Sequence, residues 1–349
     1  MSFRALLAAA LALVLSGCAT LSYYGQAIGG HLDVMAAARP VDAWLADPAT
    51  PAELRQRLEL AERIRTFASR ELGLPNNGSY RSYAALGRRY VVWNVFAAPA
   101  FSVEPRKECF PLTGCVGYRG FFSESDARRA AERLKAEGND VYVGGVPAYS
   151  TLGWFDDPLL STFINYPESQ LARLIFHELA HQMVYKPSDT TFNESFAVTV
   201  EEEGVRRWLQ AQGEGAELEA FRAAQARRQR FAERVKETRE KLAAAYAEGG
   251  GNAALLARKK EIWEALRADY PGIVPQEPNN AFLGSVALYN ELVPEFEALL
   301  RQSPSLEAFY AKVRELAKSG ETVKRPKPPG PSASGERDVD DLEVRRPLA

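Results

Sequence analysis

The stretch Leu174-Ile175-Phe176-His177-Glu178-Leu179-Ala180-His181-Gln182 narrows the possibilities for this chain more than any other. Two histidines four positions apart share one face only if the backbone there is helical. At about 1.5 Å of rise per residue they lie roughly 6 Å apart along the axis, so that two ring nitrogens can converge on one metal ion. Glu178 projects to the side, where a carboxylate can act as a base. The chain has only 3 histidines, and a chance pairing of this kind is rare. The competing reading is a buried helix with two hydrogen-bonded histidines.

Composition sets the frame. A chain of 349 residues, 46% hydrophobic and 25% charged, can bury a large core as one big domain or two ordinary ones. Lys+Arg 43 against Asp+Glu 45 leaves no basic surplus, so no nucleic-acid partner is expected.

Each of the 3 cysteines has a readable position. An apolar run from Ala5 to Leu15 follows Arg4 and ends in Leu15-Ser16-Gly17-Cys18. This pattern reads as a secretory signal over residues 1–17, too short for a spanning helix. Leu-Ser-Gly-Cys also resembles the bacterial lipobox. That resemblance implies lipidation of Cys18, a membrane anchor at the N-terminus and a periplasmic address, and Ala19 in place of Asp implies the outer membrane. An ordinary cleaved signal releasing a soluble protein is the plainer alternative. Cys109 and Cys115 then remain in an oxidising compartment around a short segment. A disulfide between them is the economical reading, with free thiols or a second metal site as the others.

Along the chain, residues 19–38 read as a helix ended by Pro40, with His31 in a packing or surface role. Helical spacing of Leu54, Leu58, Leu60, Ile64 and Phe67 predicts a helix from Pro51 to Leu72. Segments 90–96, 116–122 and 141–146 are rich in β-branched and aromatic residues and read as strands of a small antiparallel sheet, with a helix from Ser123 to about Ala136. The polar-aromatic segment 147–158 reads either as an edge strand able to pair with an extended peptide or as a loop packed on the core. The motif helix runs from Pro167 to about Val184, and another from Asn193 to Leu209. Residues 214–267 read as a long helical hairpin standing partly off the core. A buried helix follows Asn279-Asn280, and the Pro/Ser/Gly-rich residues 319–349 read as a disordered tail.

A catalytic zinc commonly takes three protein ligands. Without a third histidine nearby, the missing donor is expected to be a carboxylate. Asn193-Glu194-Ser195-Phe196-Ala197 supplies one, and Glu201, two turns on, is its rival. HELAHQ (177–182) and FNESFA (192–197) together resemble the paired motifs of the gluzincin group of zinc aminopeptidases. From the lipobox through Phe110-Pro111 and Tyr149-Ser150-Thr151 to Asn279-Asn280, the chain is also similar to a family of bacterial lipoproteins described as predicted zinc aminopeptidases. The resemblance implies a zincin-like metallopeptidase domain over residues 18–318. Its expected fold is α+β and mainly helical, with the small sheet before the zinc helix and the long hairpin after it.

The same resemblance implies zinc as cofactor, His177, His181 and Glu194 as ligands, Glu178 as general base and a peptide as substrate. By analogy Tyr289 is nominated to stabilise the oxyanion, with Tyr149 second; a packed tyrosine is the bland reading of either. Two departures stand out. The connection between the motifs is shorter than in the better-known aminopeptidases. Their Gly-x-Met-Glu-Asn segment, which anchors the substrate amine, is missing: Gly144 to Ala148 carries no carboxylate, which leaves Asp156 or Asp157 as substitutes. The alternative to an enzyme is a non-catalytic zinc-containing envelope lipoprotein that binds peptides or partner proteins.

Overall fold

The computed structural model describes residues 21–110, 114–213, 215–319 and 323. Cys18 with its leader, and nearly all of the 319–349 tail, lie outside the described residues. The protein is α+β and mainly helical. Helix α1 (21–37) leads to strand β1 (Ala38–Pro40), α2 (Val41–Ala46) and α3 (Ala52–Arg70). Strands β2 (Ser82–Ala84), β3 (Val92–Pro99), β4 (Glu108–Phe110), β5 (Gly114–Val116) and β6 (Arg119–Phe121) follow. Then come α4 (Glu124–Ala136), β7 (Asn139–Val146) and β8 (Leu159–Leu160). The rest is helical: α5 (Glu168–His181), α6 (Thr190–Gln212), α7 (Gly215–Glu248), α8 (Asn252–Asp269), α9 (Asn280–Asn290), α10 (Val293–Arg301) and α11 (Leu306–Ser319).

The expected antiparallel sheet is present, in the order β6-β3-β7, with β3 and β7 paired from Val92↔Val146 to Pro99↔Asn139. Alternation along β3 serves both faces. Val95 and Ala97 pack with Ala127, Ala130 and Ala131 of α4, whereas Phe96 meets Ala281 and Leu288 of α9. Ser123 caps α4 by accepting from the Asp126 amide at 3.3 Å.

Two features of the sheets depart from the sequence reading. The segment read as one strand over 116–122 is divided between β5 and β6, and β5 pairs with β4 so that Cys109 and Cys115 face each other and are disulfide-bonded. A second sheet, β1-β2-β8, includes a parallel β2–β8 pair. Its pieces are too short for periodicity to reveal. Segment 147–158 forms no strand; it is a loop, the other reading of that stretch.

The main core gathers on α5. Leu171, Ile175, Phe176 and Leu179, which share one face of the helix, are fully buried with Ile64 and Ala68 of α3 and Phe196 of α6. Gly204 of α6 permits the close approach of α5: a Cβ there would lie 2.6 Å from the Phe176 ring and 2.8 Å from Leu72. The predicted hairpin exists as α7 and α8. It does not stand off, because Val235, Leu242, Trp263 and Leu266 form a core of their own with Phe282 and Leu283 of α9. Among the described residues, no helix is long and apolar enough to cross a membrane.

Candidate metal centre

Helix α5 ends at His181, and α6 begins at Thr190 after a short connection. Two devices make that connection workable. Asp189 caps α6, accepting from the Phe192 amide at 3.0 Å. The Asn193 side chain clamps the turn from both sides, accepting from the Lys186 amide at 2.7 Å and donating to the Lys186 carbonyl at 2.9 Å. The next residue, Glu194, is thereby brought across to α5.

There the His181 Nε2 lies 3.1 Å from His177 Nε2, and Glu194 Oε2 lies 3.2 Å from the first histidine's Nε2 and 3.6 Å from the second's. A tetrahedral ion with bonds of ~2.0–2.1 Å separates its donor atoms by about 3.3 Å. The three atoms therefore form a donor set of the right size for a metal ion, with all three side chains nearly buried. The charge pattern agrees. Burial disfavours a charged His177 ring, but the Glu194 and Glu201 carboxylates bonded to it outweigh this and hold its pKa up to about 10. Against its own burial, the two histidines pull Glu194 down to about 2. A field that holds a proton so firmly also favours a cation in its place.

Glu201 occupies a different place from Glu194. Its Oε2 meets the opposite ring nitrogen, His177 Nδ1, at 2.9 Å, and its Oε1 accepts from Arg173 Nε at 2.5 Å. It fixes the ring orientation and leaves Nε2 to the donor set, the arrangement of a group supporting a ligand. The Arg173 guanidinium and the His177 ring keep Glu201 ionised despite complete burial.

The donors form part of the wall of a cavity of about 570 Å³ that Glu178 also lines. Burial, partly offset by His177 and His181, raises the Glu178 carboxyl above its usual range, which suits a base working near neutrality. Tyr289 lines the same cavity with its ring 6.4 Å from that of His177. Its phenol is pushed up first by the Glu194 charge and then by burial. Tyr149 also lines the cavity, but its hydroxyl is hydrogen-bonded to His31 Nδ1 at 2.8 Å. His31 thus packs in the cavity wall against Tyr149 and Phe155, outside the donor group, which is the packing role expected of it.

Asp156 and Asp157 are not in the wall. Asp157 is buried behind the loop, accepting from the Thr151 amide at 3.0 Å, and Asp156 packs against Gly78. Two parts of the cavity wall are missing from the sequence reading. Tyr118, between β5 and β6, packs partly buried beside Phe96, with a phenol raised by burial and by Glu194, and α1 contributes Tyr23, Tyr24 and Ala27. Neither lies in a recognisable motif.

Fold and site thus define a mainly helical α+β protein with a buried His/His/Glu donor set beside an unliganded glutamate. The chain belongs to the family described as "Putative aminopeptidase", whose model matches residues 22–327. No curated protein and no solved structure shows a significant match to it.

Proposed function

We propose that the protein is a zinc peptidase of the gluzincin type, with a zincin-like fold and aminopeptidase-like activity. The spacing of the three donor atoms, 3.1, 3.2 and 3.6 Å apart beside Glu178, carries this reading. His177, His181 and Glu194 would hold the ion. When bound, zinc supplies a Lewis acid that polarises a carbonyl and acidifies water. Glu178 accepts the proton of the attacking water and passes it to the leaving amine. Tyr289 and Tyr118, both kept protonated by burial and by Glu194, can donate to the oxyanion. A free glutamate next to three donors argues against a merely structural ion, which is normally closed by a fourth ligand. In this reading Cys18 carries the lipid and the domain faces the periplasm from the outer membrane.

A second reading, internal cleavage, has its own observation. Among the described residues, the carboxylates lining the cavity are Glu178 and Glu194, both committed to the centre, so no acidic wall residue is left there to anchor a substrate amine. Incubating the zinc-loaded protein with free and N-acetylated peptides, and locating the cuts by mass spectrometry, separates the two. Loss of cutting on acetylation establishes the aminopeptidase; cuts inside blocked peptides establish the endopeptidase. Protein that binds no stoichiometric zinc, or a Glu178→Gln form as active as the parent, would sink both.

A further inference from the structure

Helix α1 has its polarity reversed for a surface helix. One side, with Tyr23, Tyr24, Ala27 and His31, lines the metal cavity. The side turned to solvent is apolar: Leu21, Ile28 and Leu32 fall within about 40° of one another on the helical wheel and are 75%, 59% and 58% exposed. Between residues 21 and 37 the chain carries a single Asp, Asp33, and no Lys or Arg. Beside the helix, Phe155 packs its ring 4.6 Å from His31 while remaining 52% exposed, and its neighbour Trp154 is 74% exposed. Five of the seven large hydrophobic side chains exposed among the described residues thus belong to α1 and this one loop. Phe155 also lines the cavity, so the patch adjoins its mouth.

An apolar patch of this kind marks a binding surface. The adjoining sequence says what covers it. Cys18, the lipobox cysteine, precedes Leu21, at one end of the stripe, by only three residues, a reach of at most about 10 Å. Acyl chains there would enter a bilayer where the stripe begins, and an amphipathic helix with a flanking Trp is a common second contact for a lipid-anchored protein.

We infer that the outer face of α1, with Trp154 and Phe155, lies on a lipid bilayer, so that the metal cavity opens beside the membrane surface. The choice of bilayer rests on the reading of Cys18 as lipid-bearing. Because the stripe has no basic residue, the contact is apolar and insensitive to salt. Peptide segments emerging from a membrane reach the cavity sooner than peptides free in solution.

The test uses the full chain, made in an export-competent bacterial host and reconstituted into phosphatidylethanolamine–phosphatidylglycerol vesicles with brominated acyl chains, which quench tryptophan on contact. The chain should float with the vesicles and show quenching that the Trp154→Phe form lacks. With Ile28→Lys and Leu32→Lys together it should still float through Cys18 and still hydrolyse soluble peptides, while Trp154 quenching falls several-fold. Floating with Trp154 unquenched overturns the docking and leaves the anchor standing. Failure to float removes both. Disulfide cross-links between copies carrying Ile28→Cys, with Trp154 unquenched, would make the face a dimer interface instead.

Discussion

Helices α6 and α7 follow one another in the chain and are both rich in charge, yet they solve opposite problems. α6 is buried on nearly every side from Phe192 to Val205, including Glu194, Glu201 and Glu202. α7, at 34 residues, buries only Phe221, Val235, Thr238, Leu242 and Ala245. Buried carboxylates persist only where each has a partner. Glu194 has two histidines, Glu201 has His177 and Arg173, and Glu202 accepts from Gln225 of α7 at 2.7 Å. On α7 the charges make exposed pairs such as Arg234–Asp269 at 2.8 Å. Expensive charge thus collects on and beside the donor set, and dispensable charge where the protein meets water.

The sharpest way to break this contrast is at Glu178. Its replacement by Gln should lower peptide hydrolysis by roughly 10²–10⁴-fold, with zinc content unchanged and Tm no lower. Glu201→Gln should weaken zinc binding about 10–100-fold in a competitive chelator titration, since the His177 ring loses the acceptor that aligns it. Gly204→Ala pushes a methyl group into Phe176 and should cost about 1–3 kcal/mol in chemical denaturation.

A pH effect belongs to the same buried side. Burial raises Asp157 to about 7. Its folded-state pKa therefore exceeds the unfolded value, so the stability it contributes is complete below about pH 4 and is lost as pH rises through about 7. Asp157→Asn should flatten that stretch of the stability–pH curve and make the variant the more stable form at pH 8. The smallest effect lies on the hairpin. Arg234→Ala, which breaks a surface pair, should change stability by ~0.2–1 kcal/mol and leave hydrolysis untouched. A larger loss there would show that α7 supports the centre after all.

Much of the centre was legible because it is local. His177, Glu178 and His181 share one helix, so spacing alone announces them, whereas Glu194, one short connection later, was singled out by the motif it resembles. Spacing left Glu201 as its rival, since both sit on accessible turns of one helix, and the structure separates them by which His177 nitrogen each meets. Tyr118 and α1 escaped because nothing in their own neighbourhoods hints at a cavity; long-range packing delivers them. The parallel β2–β8 pair escaped for the same reason, its buried Leu159-Leu160 being indistinguishable from any two core leucines.

The cavity walls come from helix α1, strands β3 to β7, the 147–158 loop, the α5–α6 pair and Tyr289 of α9. The donors can meet as soon as α6 has formed, but the last wall is encoded near the far end of the chain. A nascent polypeptide stalled before α9 would possess the donor atoms and most of the chamber but lack the wall that Tyr289 provides. Synthesis order alone therefore keeps the centre without its finished chamber until almost the whole protein has been made.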